Sequence, residues 1–250
     1  MNGNDLLRKA AEILVNSRHT TVFTGAGISV ESGIPPFRGP DGLWSKYDPI
    51  FLDIDYFYRN PEKSWKLIKE IFYDFMGKAQ PNPAHYAVAE LEKMGIVKAV
   101  ITQNIDNLHQ EAGSKIVYEF HGTTRFLTCM RCGKKWEYTP ELLEKIPPVC
   151  PDCGGILKPD FVFFGEPIPE PAHSASLREA EIADVFLVIG TTGEIYPAAM
   201  IPKIAKKNGA QIIEVNVSPS SYTYEITDIF LQGKAGEILP ALVEEVKKLK

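Results

Sequence analysis

The 250-residue sequence predicts an α/β protein: a parallel sheet with helices on both faces, carrying a smaller metal-organised part. Three observations lead there. Apolar runs such as "ADVFLVIG" and "AQIIEVNV" lack the alternation of a half-exposed strand, so both of their faces must be covered. They alternate with amphipathic helical stretches, the order that a sheet covered on both faces requires. Four cysteines fall as two tight pairs within one short stretch that has no long apolar run.

Taken in order, Asp5 is placed to cap a helix whose Leu6, Leu7, Ala10, Ile13 and Leu14 recur at helical spacing. "TTVFTG" then reads as a buried strand that ends at a glycine-rich loop. Pro83 suits a first helical turn, "AHYAVAELEKM" carries an apolar stripe, and Gly95 can close that helix. The strand "VKAVITQ" follows, then the short strand "VYEFHGTT". "ADVFLVIGTT" and "AQIIEVNVS" are two further strands, separated by "YPAAMIPKIAKKNG", which is helix-like despite Pro202. "GEILPALVEEVKKL" supplies a last amphipathic helix, with lysines in its final turn where they complement the dipole.

Two stretches break this rhythm. Residues 40–79 are rich in aromatics without a clear strand and read as a helical insertion; residues 123–158 hold all four cysteines. The expected large domain is therefore residues 1–39, 80–122 and 159–250, and the two insertions form a small domain.

Composition narrows the function classes. With 44% hydrophobic residues the chain can bury a sizeable core, which excludes a disordered or fibrous protein. A net charge of -5 gives no electrostatic reason to expect direct nucleic-acid binding. Arg125, Arg131, Lys134 and Lys135 leave a local basic patch open. "MNGNDLLRKAAEIL" has no signal-peptide core and no apolar run reaches membrane-spanning length, so a soluble cytoplasmic protein is expected.

Cys129-x2-Cys132 and Cys150-x2-Cys153, separated by residues 133–149, have the spacing at which four thiolates converge on zinc. Such a site has no open coordination position, so the zinc is expected to be structural.

The glycine loop points to a phosphate-bearing ligand. Gly25, Ala26 and Gly27 follow a strand, where bare backbone can approach a diphosphate. The dinucleotide fingerprint asks for a third glycine where Val30 stands, so that template fails. Downstream, Arg38 can bind a phosphate bidentately and Phe37 can cover a flat ring. An ordinary tight turn, core packing for Phe37 and a surface ion pair for Arg38 are the plainer readings.

Further polar groups stand where strands end. Gln103, Asn104 and Asp106 follow "VIT", where ligands of open α/β sheets bind, although Asn104 or Asp106 would also serve as a helix cap. Gly190, Thr191 and Thr192 follow a third strand, and Asn216 and Ser218 a fourth. Of the five histidines, His121 stands at a strand end as a candidate general base. His19, His85, His109 and His173 fall in helices, helix approaches or loops, where a surface role is the default.

With these residues assembled, the chain resembles the sirtuins, the NAD-dependent protein lysine deacylases. The likeness rests on "GAGIS", "GIPPFRG", "TQNID", the pair His121-Gly122, the cysteine knuckles, "FVFFGE" and "YPAA", in the family's order over nearly the whole chain. It implies a Rossmann-like large domain that binds NAD in a sense inverted from dehydrogenases, and a zinc-binding and helical small domain. Ala26, Phe37 and Arg38 would line the cofactor site, Gln103 and Asn104 hold the ribose region, and Ile105 and Asp106 bind the nicotinamide carboxamide. Gly190, Thr191, Asn216, Val217 and Ala235 would contact the adenosine half.

The resemblance also makes His121 the catalytic base, with Asn104 beside it, and nicotinamide and O-acyl-ADP-ribose the products. Val162, Phe164, Gly165 and Glu166 on one side, and Glu194, Ile195 and Tyr196 on the other, would bind an acyl-lysine peptide as an added strand. Pro36 stands where the family usually has Asp, Thr191-Thr192 replaces two serines, and Gly193-Glu194 replaces two apolar residues. Ile68 and Ile71 align with a Tyr and Arg of members that remove acidic acyl groups, which favours neutral acyl chains here. The competing expectations are an NAD glycohydrolase or ADP-ribosyltransferase, and a non-enzymatic zinc-ribbon interaction protein.

Overall fold

The computed structural model describes residues 3–39 and 42–250. The chain runs α1 (Gly3–Asn16), β1 (Thr20–Thr24), a 3-10 helix (Ala26–Ser32), α2 (Ile54–Arg59), α3 (Pro61–Ile68), a π-helical stretch (Lys69–Phe75), α4 (Pro83–Lys93), β2 (Val97–Thr102), α5 (Leu108–Glu111), β3 (Val117–Glu119), β4 (Gly122–Cys129), β5 (Lys135–Glu137), β6 (Leu157–Phe161), α6 (Ala172–Ile182), β7 (Val185–Ile189), α7 (Met200–Lys207), β8 (Gln211–Asn216), β9 (Ile229–Gln232) and α8 (Ala235–Leu249). Asp5 lies inside the first turn of α1 rather than before it. Among the described residues no helix is long and apolar enough to cross a membrane.

Six strands form a parallel sheet in the order β3-β2-β1-β7-β8-β9. The chain builds outward from β1 on one side, then returns to build outward from β7 on the other. Strand order therefore reverses between β1 and β7, and the loops leaving their carboxyl ends diverge into a crevice. β9 has no counterpart among the strands expected from the sequence. It is short and only alternately buried, so it lacks a continuous apolar run.

Successive strand residues face opposite layers. Val22, Leu187, Ile189 and Ile213 pack with α1, α4 and α8, while Phe23, Phe186, Val188 and Ile212 pack with α6 and α7. Burial of each such side chain stabilises by about 1.5–3 kcal/mol, which explains why these strands are apolar throughout. Pro202 is accommodated because it falls in the first turn of α7, where its missing N–H has no helical partner to lose.

A second sheet is antiparallel, in the order β5-β4-β6. It begins just before residues 123–158 and runs just past them, because β4 starts at Gly122 and β6 continues to Phe161. Leu127, Leu143 and Leu157 of this part share one core with Phe57, Trp65, Ile68 and Phe72 of the helical insertion. Trp65 Nε1 donates to the Leu157 carbonyl at 2.8 Å, joining the two insertions directly. The expected domain boundary at residue 40 lies outside the described residues.

Candidate active site

A cleft of about 530 Å³ opens between the carboxyl edge of the parallel sheet and the shared core of the two insertions. It gathers Gly25, Ala26, Gly27, Phe37 and Arg38 from the first loop, Gln103, Asn104 and Ile105 after β2, and His121 after β3. Gly190, Thr191 and Thr192 after β7, and Asn216, Val217 and Ser218 after β8, complete that edge. Trp44, Leu52 and Phe72, which no sequence motif singled out, join Phe161 and Phe163 of the "FVFFGE" stretch in an apolar wall. Three expected residues stand apart from the lining: Asp106, Glu194 and Ala235. Ala235 is buried at the start of α8, and Glu194 is exposed.

The glycines answer to each other. Gly25 N donates to Ile189 O at 3.0 Å and Gly27 N to Gly190 O at 2.8 Å. A Cβ on Gly27 would stand 2.6 Å from the Gly190 Cα, and Gly190 itself has φ +61°. Two of the three loop amides expected at a diphosphate are thus donated within the protein. The bare backbone is required first by the crossing of two loops at the switch point.

Asn104 is fixed from three directions. Its amide donates to Thr102 Oγ1 at 3.0 Å, and its Nδ2 donates to Gly25 O at 3.1 Å and Ser29 Oγ at 3.2 Å. Ser29 Oγ in turn donates to Asp106 Oδ2 at 2.6 Å, while the Leu108 amide donates to Asp106 Oδ1 at 3.1 Å. Burial raises the Asp106 carboxyl above its ordinary value, against the pull of those two donors. Asp106 therefore holds the first amide of α5, just before whose N-cap Asn107 it stands, and supports Asn104 through Ser29, behind the cleft surface.

His121 Nδ1 lies 3.1 Å from the Gln103 carbonyl. A carbonyl only accepts, so this nitrogen carries the proton and leaves the Nε2 lone pair unprotonated. Burial lowers the His121 pKa, opposed by the Gln103 carbonyl, so the ring is neutral near neutral pH. Gln103 also reaches across the switch point, donating from Nε2 to Thr191 Oγ1 at 3.2 Å.

His85 and His109 overturn the surface expectation. Both are buried, with ring centroids 5.1 Å apart. Burial pushes His85 down to about 4 and His109 down to about 3, the latter helped by His85. His85 Nδ1 accepts from the Asn82 amide at 3.2 Å, closing a capping box, and its Nε2 faces Ser29 Oγ at 3.4 Å. His109 Nε2 meets Thr24 Oγ1 at 3.0 Å, and Thr24 Oγ1 donates to Thr102 Oγ1 at 2.8 Å, the group that accepts from Asn104. His85 shares the apolar stripe of α4 with Val88 and Leu91, a signal that could have placed it inside.

On the opposite wall, Val162, Phe164, Gly165, Glu166, Ile195 and Tyr196 line the cleft. Val162 N donates to His121 O at 2.8 Å, and Phe164 pairs with Leu52 and Ile54 of the helical insertion. Pro36 lines the cleft too, whereas Ile68 and Ile71 are buried away from it, so the acyl-chain inference drawn from those two positions loses its footing.

The four cysteine sulfurs lie within 4.8 Å of one another, with Cys129 to Cys153 at 3.5 Å and Cys132 to Cys150 at 3.9 Å. A tetrahedron of zinc–sulfur bonds spaces its sulfurs about 3.8 Å apart, so the donor set fits that ion. Knuckle amides of Cys132 and Arg131 point at Cys129 Sγ and bring its thiol down to about 6. A Cβ on Gly155 would stand 2.9 Å from that sulfur, which is why this position is bare.

These features have known counterparts. The Sir2 family model matches residues 25–197. The NAD-dependent protein deacylase 2 of Pyrobaculum aerophilum is 52% identical over 242 residues, covering 95% of each chain. A structure from work on the mechanism and regulation of Sir2 enzymes superposes with TM-score 0.90 at 52% identity, covering 99% of this chain and 100% of that one. A Sir2 structure bound to a myristoylated histone peptide superposes with TM-score 0.81 at 44% identity, covering 98% of both. A family match over most of the chain, a relative of this identity and the same fold throughout establish that the chain belongs to the Sir2 family.

Proposed function

We propose that the protein is an NAD-dependent lysine deacylase that transfers acyl groups, acetyl among them, from protein lysines and releases nicotinamide and O-acyl-ADP-ribose. The observation that carries this is His121: a neutral imidazole with a free Nε2, held by the Gln103 carbonyl at the edge of a cleft lined by amides and hydroxyls. The residues fit NAD by their chemistry, with backbone and hydroxyl groups at Gly190, Thr191 and Thr192, amides at Asn104 and Asn216, and a guanidinium at Arg38. When bound, NAD supplies the ribosyl carbon that accepts the acyl oxygen.

His121 takes a ribose hydroxyl proton onto Nε2, and Asn104 orients the ribose region. Phe37 and the apolar wall exclude water. Asp106 acts from behind through Ser29, and Ala235 helps fix the adenosine half from α8. The Val162 carbonyl and Gly165 amide have no backbone partner among the described residues, which supports strand addition of the acyl-lysine peptide between Val162–Glu166 and Glu194–Tyr196.

Cys129, Cys132, Cys150 and Cys153 hold a structural zinc, and paired free thiols of this kind suit the reducing cytoplasm. The two insertions, sharing one core, make up the small domain, and substrates are proteins rather than nucleic acid or membrane.

The test mixes protein, NAD and an acetyl-lysine peptide and follows nicotinamide together with the mass of the nucleotide product. O-acyl-ADP-ribose formed only with peptide is the expected result. Nicotinamide release indifferent to the peptide would replace this reading with a glycohydrolase or ADP-ribosyltransferase.

A further inference from the structure

Lys158 is a cation set almost out of solvent beside the peptide wall. Its side chain is 11% exposed, and its Nζ reaches three acceptors: Glu166 Oε2 at 2.8 Å, Phe161 O at 2.8 Å and Pro159 O at 3.0 Å. These account for all three ammonium protons. The same nitrogen lies 4.0 Å from the centroid of the Phe163 ring. Burial lowers the Lys158 pKa, and Glu166 works against that.

The acceptors are not scattered. Phe161 is the last residue of β6, and Glu166 Oε2 also accepts from the Phe163 amide at 2.8 Å. Glu166 N donates back to Phe163 O at 3.0 Å, closing a tight turn. Lys158 thus bridges the end of β6 to the far side of the turn that offers Val162 O and Gly165 N to the cleft. We propose that Lys158 is a positioning residue for the peptide substrate, which fixes the Val162–Glu166 turn so that an acyl-lysine strand can add to it. This rests on the deacylase reading for the identity of the peptide.

The His121 ring has its own anchor in the Gln103 carbonyl and the cofactor edge lies across the cleft, so the effect falls on the peptide side. Arginine can carry the same charge and reach the same acceptors, whereas methionine keeps the stem and removes every donor.

The experiment uses the full-length zinc-bearing protein and compares wild type with Lys158→Met and Lys158→Arg. Kd for a fluorescent acetyl-lysine peptide is read by anisotropy, and KM for peptide and for NAD by nicotinamide release. Losing donors to a half-buried carboxylate and two carbonyls is expected to raise the peptide Kd and KM about tenfold in the Met variant, with KM for NAD within about twofold and Arg restoring most of the loss.

An unchanged peptide Kd, a parallel rise in both KM values, or an Arg variant no better than Met would overturn it. Should Lys158→Met fail to fold by thermal unfolding, Lys158→Gln keeps a polar tip while removing the charge and one of the three donors, and the same split is required of it. Wild-type protein that binds peptide yet forms no O-acyl-ADP-ribose would sink the deacylase reading alone, with the peptide Kd still deciding this one. Wild-type protein that binds no peptide would sink both.

Discussion

Gly27 and Gly190 meet backbone against backbone, the amide of the first donating to the carbonyl of the second at 2.8 Å. Any Cβ at Gly27 would press on the Gly190 Cα at 2.6 Å, and main chain cannot swing aside as a side-chain tip can. Gly27→Ala is therefore expected to cost about 1–3 kcal/mol by overpacking. Because the loops separate where the cleft forms, NAD-dependent turnover should fall as well. Urea unfolding and steady-state kinetics check both, and a variant with wild-type stability and KM for NAD contradicts the close approach.

His121 must be neutral to accept a proton. Burial is the larger influence and moves its pKa below the ordinary 6.5, so the basic form persists into mildly acidic solution. The acid limb of kcat/KM should accordingly lie below that value, with a plateau above it. His121→Ala should lower deacylation about 100- to 10,000-fold, while nicotinamide exchange, which needs no ribose deprotonation, is partly kept. An acid limb centred above 6.5, or equal loss of both reactions, argues against this role.

The fold was legible where burial on both faces wrote itself as uninterrupted apolar sequence, as in Val185–Ile189, all five of whose residues are buried. β9 was not, since Ile229 and Leu231 alone face the core in a four-residue strand. At the site, the residues standing at strand ends were found because sheet topology forces them together. Ser29 and His109 escaped because their partners lie far along the chain, whereas His85 carried a local signal in the apolar stripe of α4 that a default surface reading of histidine passed over. The glycines were found for an incomplete reason: composition says that backbone comes close to something, and only packing shows that the something is another loop.

At the opposite edge of the sheet, Asp184 collects Ser17 Oγ at 2.6 Å, Arg18 N at 2.9 Å and His19 N at 3.0 Å. Partial burial works to raise its pKa, yet these donors prevail and hold it at about 2, down from the ordinary 3.8. A depressed carboxyl stabilises above its unfolded value and loses that contribution as pH falls toward its folded one. Asp184→Asn should thus cost about 1–2 kcal/mol near neutral pH, allowing for the partly exposed side chain. In urea titrations the gap between variant and wild type should shrink below pH 3.8 and close near 2. A gap that stays constant across that window would falsify the assignment.

Metal removal tests how the cysteine cluster reaches the chemistry. β4 starts at Gly122, directly after His121, and β6 ends at Phe161, directly before the Val162 amide that donates to His121 O. Gly122 sits against Phe161 in register, with φ +77° and a would-be Cβ only 2.7 Å from the Phe161 Cα, so the two strands are clamped where they leave the active site. At their far ends the clamp is the cluster of four sulfurs. A closed zinc site of this type contributes on the order of 10 kcal/mol of local folding free energy. Stripping it should release β4 and β6 and abolish peptide-dependent nicotinamide release, while the parallel sheet, with its two separate core layers, keeps its circular dichroism. Four thiolates would leave such an ion no open coordination position, so cobalt or cadmium should restore activity nearly as well as zinc, cobalt with a thiolate charge-transfer band. Full activity in metal-free protein, or rates that track the Lewis acidity of the replacement ion, would show that the cluster does something other than hold two strands in place.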